Sequence, residues 1–144
     1  MIAEAVVVGP FRLFFTNVNT EMGLPGHSHT ASLVLTYLNL PTTDQAPTRG
    51  FPAFAETYAA IRAHLRDVTA KAFRNATNEE VARRLAVAFQ TFCPPAIAHW
   101  GGHYALTEVT LEVEGVEDTI GHAEGTTRYM VLFDRAALVP LPEA

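Results

Sequence analysis

Between residues 5 and 18 the chain is dominated by β-branched and aromatic residues, broken once by Gly9-Pro10. That pattern predicts one long strand with a bulge or bend at the break, or two short strands joined there. Turn formers fill residues 19–26. Alternation then sets in over residues 29–40. One side of this second strand carries His27, His29, Ala31, Leu33, Leu35 and Tyr37, and the other Ser28, Thr30, Ser32, Val34 and Thr36. The first side is the apolar one and should face the core. If the strand already begins at His27, both imidazoles share that side.

After a polar loop over residues 41–50 the period changes from two to about 3.6. Phe54, Tyr58, Ile61, Leu65, Val68 and Ala72 follow at steps of four, three, four, three and four, the apolar stripe of an amphipathic helix. A second helix announces its start: Thr77 and Glu80 form the Thr-x-x-Glu capping box, and Val81, Leu85, Ala88, Phe89 and Phe92 supply its buried side. Pro94-Pro95 ends it. Alternation returns with Val109, Leu111 and Val113 set against Glu108, Thr110, Glu112 and Glu114. A turn-rich stretch over 115–125 leads to a fourth strand over 126–133. The order strand, strand, helix, helix, strand, strand predicts an α+β domain spanning residues 1–144. Two hairpins form an antiparallel four-stranded sheet, and both helices pack on one face. Such a sheet leaves two edges to be closed, so a homo-oligomer is expected.

Composition narrows the function classes. The chain has 144 residues, 49% of them hydrophobic and 17% charged, enough to bury a core without disulfides or metal. With 10 Lys and Arg against 15 Asp and Glu, the net charge is −5 and no basic run occurs. The electrostatic footprint of a nucleic-acid binder is missing. The first 15 residues, interrupted by Glu4 and Arg12, do not read as a signal core, and there is no long apolar window for a membrane span. Cys93 is the one cysteine, which suits a reducing compartment and leads to the expectation of a cytoplasmic protein.

Histidines and carboxylates carry the candidate chemistry. His27 and His29 are two residues apart at the mouth of the second strand, and His99 and His103 flank a Gly-Gly turn at the entry to the third. Two such pairs suit zinc, copper, nickel or iron if they meet in space. Otherwise they are turn and strand-edge residues bonded to backbone. Helix capping accounts for Thr77 and Glu80. Glu79 is either a first-turn carboxylate favoured by the helix dipole or a ligand-binding one. The row Glu108, Glu112 and Glu114 is a solvated sheet face unless one of them holds a ligand. Arg128 and Tyr129 either line a pocket or pack and solvate.

Two segments resemble a known family. The stretch GHSHTASLVL is similar to the His-Gly-His segment that opens the second strand of the 6-pyruvoyl-tetrahydropterin synthases, with Ser28 in the glycine place. ATNEEVARRLA is similar to the Thr-x-Glu-Asn-x-Ala segment that opens their second helix, where Thr77, Glu79, Val81 and Ala82 keep the pattern and Glu80 replaces the asparagine. These enzymes and dihydroneopterin aldolase belong to the tunnelling-fold superfamily, which has the same ββααββ order. The resemblance implies a subunit-interface pocket for a pterin or related heterocycle, with a carboxylate paired to its amidine edge. Carried over, the catalytic set is His27, His29 and Glu79, the substrate-binding set Thr77, Glu79 and Glu112, and His27 and His29 are zinc ligands. The motifs are incomplete. The family's third zinc ligand comes from the first strand, where this chain offers Phe14, Phe15 and Thr16, and residues 21–24 lack the cysteine expected before the histidine pair.

Two function classes follow. One is a small-molecule enzyme, a synthase-like lyase acting on a pterin-like or purine-like ring with histidine and glutamate as proton carriers. The alternative is a non-catalytic oligomeric ligand-binding or accessory protein that keeps the fold without the catalytic set. A ferredoxin-like or other α+β sandwich with no interface pocket is the remaining fold alternative.

Overall fold

Two 16-residue strands, β1 (Glu4–Asn19) and β2 (Leu24–Asn39), pair antiparallel along most of their length. They form the first hairpin of the computed structural model, which describes residues 4–19, 24–40, 51, 53–70, 73–74, 76–92, 104–114 and 125–139. Helix α1 (Ala55–Thr69), the two-residue strand β3 (Phe73–Arg74) and helix α2 (Asn78–Gln90) follow. Strands β4 (Tyr104–Glu114) and β5 (Thr126–Leu132) and a 3-10 turn at Arg135–Ala137 complete the order. Strands β1, β2, β4 and β5 are neighbours in that order and all antiparallel. The expected ββααββ architecture is therefore the observed one. It gains β3, which pairs parallel to β1 at Asn17 and Val18.

The break at Gly9-Pro10 is a bulge. Val8 pairs with Leu35 and Phe11 with Leu33, so β1 carries one residue more than β2 across this interval. An extra residue inverts which parity faces the core. Val8 is buried before the bulge, and Phe11, Leu13 and Phe15 after it. Gly9 makes this possible: its φ is +136°, and a Cβ there would lie 2.8 Å from the Leu33 carbonyl oxygen. A second bulge in β4 works the same way. Register shifts between Tyr37–Leu106 and Thr36–Glu108, leaving Thr107 extra. Leu106 is buried before it, and Val109, Leu111 and Val113 after it.

Both helices cover the face that these residues define, with α1 against β1 and α2 against β4 and β5. Ile61 and Leu65 of α1 and Val81, Leu85 and Phe89 of α2 join Ala31, Leu33, Leu35 and Tyr37 of β2 in one core. Each large apolar side chain removed from water here contributes on the order of 1.5–3 kcal/mol. The stripe foreseen for α1 is buried at Ile61 and Leu65, whereas Phe54 stays exposed and serves as the N-cap residue. At the far end of the sheet the Phe51 ring touches Tyr37 and Tyr104, with centroids 5.2 and 5.4 Å away. The helices are tied together by His64, whose Nε2 lies 2.9 Å from the Ala88 carbonyl oxygen. Among the described residues no helix is long and apolar enough to cross a membrane.

Candidate functional site

Helix α2 begins where sequence places it. Thr77 is extended, and its hydroxyl accepts the Glu80 backbone N–H at 3.2 Å. Half of the capping box is thereby formed. The Glu80 carboxylate turns forward along the helix, accepting Arg83 Nε at 3.1 Å and lying 3.5 Å from Arg84 Nε. Arg83 holds the Glu80 carboxyl below the ordinary glutamate range, chiefly through that hydrogen bond. Thr77 is thus engaged as a cap. Asn78 Nδ2 donates to the Tyr129 hydroxyl at 3.3 Å and fixes the helix start against β5.

Between α2 and β5 lies a cleft of about 480 Å3, lined by Glu79, Ala82 and Arg83 on one side and Arg128 through Leu132 on the other. Glu79 is exposed there, in the first turn of the helix where a negative charge is favoured.

Glu112 stands on the opposite face of the sheet. Even-numbered positions of β4 beyond its bulge point away from the helices, so Glu108, Thr110 and Glu112 share that open face. Glu112 and Arg128 are direct partners in the β4–β5 ladder, and Arg128 Nε donates to Glu112 Oε2 at 2.8 Å. A second cleft of about 420 Å3 opens here, bounded by Val7, Val34, Thr36, Glu108, Thr110, Glu112, Arg128 and Met130. Arg128 and Met130 line both clefts. Glu112 holds the Arg128 guanidinium on the open face, whereas Glu79 lies in the cleft on the other side of β5 that Arg128 also borders. Sequence reasoning raised Arg128 as a pocket residue but could not pair it, because that pairing depends on the β4–β5 register.

His29 belongs to neither cleft. It is half-buried on the helix side of the sheet, opposite Phe15 in the β1–β2 ladder, with ring centroids 5.2 Å apart and planes at 29°. Phe15 in turn meets the Phe73 ring edge-on at 6.0 Å. His29 is thus part of an aromatic corner where β1, β2 and β3 meet. His27 occupies β2 opposite Asn17, so the strand does begin before it. The His27 side chain, His99, His103 and Cys93 lie outside the described residues.

Among the described residues no group of three His, Cys, Asp or Glu side chains converges. They do not by themselves meet the ligand count of a catalytic zinc site. The chain matches no family model, no curated protein and no solved structure.

Proposed function

We propose that this protein is a small-molecule enzyme of the tunnelling-fold type, acting on a pterin-like or related purine-like heterocycle held between two subunits. One spatial relation carries the reading. Tyr129, gripped by Asn78 beside Glu79, is level with Leu33 across the sheet, four residues along β2 from His29. Glu79 and His29 therefore lie towards the same end of the sheet and on its helix side, Glu79 beside the edge strand β5 and His29 on β2, two strands in from the β3 edge. Strand directions alternate across β1, β2, β4 and β5, and β3 covers β1 only at Asn17 and Val18, so the uncovered part of β1 in a second copy would meet β5 antiparallel and continue the ladder. Edge-to-edge closure of that kind brings the His29 corner of one copy towards the Glu79 cleft of the next.

At such a junction the Glu79 carboxylate accepts two parallel N–H bonds from the amidine edge of a planar ring and orients it. Imidazole has the protonation range to pass a proton at the other end of the ring, the role given to His29 with His27 beside it. Glu112, bound to Arg128 on the open face of the sheet, makes no direct contact at this junction. A zinc ion at His27 and His29, as the family resemblance implies, requires a third donor from beyond the described residues.

The test combines light scattering, metal analysis by mass spectrometry and pterin titration of untagged protein. A homo-oligomer that binds pterin, with affinity reduced about tenfold in Glu79→Gln, is the expected result. A monomer with no pterin affinity would overturn the reading. Binding without turnover of any pterin substrate would assign the protein to the non-catalytic ligand-binding class.

A further inference from the structure

The open face of the sheet carries a charge arrangement that the pterin reading does not use. Its cleft of about 420 Å3 is open to solvent and has room for a small organic molecule laid on the sheet. Val7, Val34 and Met130 give it an apolar seat, and Val7 and Met130 are more than half exposed. Around that seat stand two carboxylates, Glu108 and Glu112, and one guanidinium, Arg128. Arg128 Nε on Glu112 Oε2 at 2.8 Å neutralises one carboxylate. Glu108 accepts the neutral Thr110 hydroxyl at 3.2 Å, and among the described residues no cation pairs with it. One negative charge is left over, located on Glu108 beside the apolar seat.

We propose that this cleft binds a compact organic monocation, a primary ammonium carried on an apolar body, with Glu108 as its charge partner. The ligand class follows from exclusion by charge and shape. An anion would face two carboxylates. A divalent cation would need both carboxylates, and Arg128 occupies one of them. A neutral apolar molecule would leave the Glu108 charge without a partner. The ammonium displaces nothing, while its apolar body covers Val7, Val34 and Met130. Glu79 and His29 take no part, and no second subunit is needed, so the site stands or falls apart from the proposed enzyme activity.

The test is a two-dimensional amide NMR titration with benzylammonium, benzyl alcohol and benzoate at constant ionic strength. Benzylammonium should give saturable shifts confined to β1, β2, β4 and β5, benzyl alcohol should bind about tenfold more weakly, and benzoate should not bind. Glu108→Gln should lower benzylammonium affinity about tenfold while keeping a folded spectrum. Should that variant fail to fold, Val34→Lys provides the second arm: it places a tethered ammonium on the same face and should abolish binding. Equal affinity for the alcohol and the ammonium, or ammonium shifts unchanged in Glu108→Gln, would overturn the proposal. Ligand-free shifts at these residues that grow with protein concentration would also overturn it, by giving the face to a second copy of the chain. Pterin binding is reported at the start of α2, so the two readings fail separately.

Discussion

The imidazole of His64 lies flat on the ring of Phe92, with centroids 4.0 Å apart and planes within 2° of parallel. The same imidazole meets Phe89 edge-on at 4.8 Å and lies 2.9 Å from the Ala88 carbonyl oxygen. One half-buried side chain of α1 is thereby joined to Ala88 and Phe89 at the end of α2 and to Phe92 just beyond it. His64→Ala should cost about 1–3 kcal/mol, the combined scale of an aromatic pair and a hydrogen bond. His64→Phe keeps the stacking and should recover about half of that. Urea unfolding curves of the two variants check both values. Equal losses in the two would assign the whole effect to the hydrogen bond.

Backbone geometry at Gly9 gives a larger effect. A methyl group there meets the Leu33 carbonyl oxygen at 2.8 Å and the Val34 Cα at 3.3 Å, on a residue whose φ is +136°. Gly9→Ala should destabilise by about 3 kcal/mol, combining backbone strain with a contact against backbone atoms that cannot swing away. Gly125, with φ +71° and open space around it, is the control. Gly125→Ala should cost only about 1 kcal/mol. Comparable midpoints for the two variants would remove the close approach to β2 as the cause.

The cap at Thr77 separates a folding role from a ligand-binding one. Thr77→Ala should lower stability by about 1 kcal/mol, and Thr77→Ser should restore it because the hydroxyl again accepts the Glu80 N–H. If pterin binds through Thr77 directly, Thr77→Ser will recover both properties and Thr77→Asn stability alone. Parallel unfolding and binding curves distinguish these outcomes.

The Glu80 cluster predicts the sign of an acid effect. Its folded pKa lies below its unfolded one, because Arg83 and then Arg84 stabilise the carboxylate. As pH falls, the unfolded chain takes up that proton first. The contribution is complete above the unfolded pKa and is lost as pH drops through the folded value. The urea midpoint should therefore fall more steeply across the acidic glutamate range than it does in Glu80→Gln. The gap should be small and shrink with added salt, since these side chains are exposed to solvent. A gap that is constant across that range would refute the assignment.

Much of this architecture was legible because periodicity follows from burial. Leu33, Leu35 and Tyr37 in β2 and Val81, Leu85 and Phe89 in α2 lie where their spacing puts them. The start of β4 was missed for a definite reason. Tyr104, Ala105 and Leu106 are all buried, and the Thr107 bulge then inverts parity, so alternation becomes visible only from Glu108 onwards. Strand β3 was missed because two residues carry no period. Pairing across the sheet was also out of reach. The partnership of Glu112 with Arg128 depends on register, and the long connection between β4 and β5 does not fix register as a two-residue turn would. Sequence started β2 at His29 and left His27 conditional, whereas the strand begins at Leu24 and includes both backbones. The stack of His29 on Phe15 could not be foreseen without the β1 bulge, which decides that Phe15 faces inward.

Arg128 borders both the cleft beside Glu79 and the cleft beside Glu108, with its guanidinium held by Glu112 on the open face. A bound molecule that draws the guanidinium to one side of β5 changes the charge on the other. By thermodynamic reciprocity, whatever factor a ligand of the first cleft imposes on the second must be returned unchanged. A ligand that leaves Arg128 on Glu112 imposes no such factor, and the two clefts then fill independently.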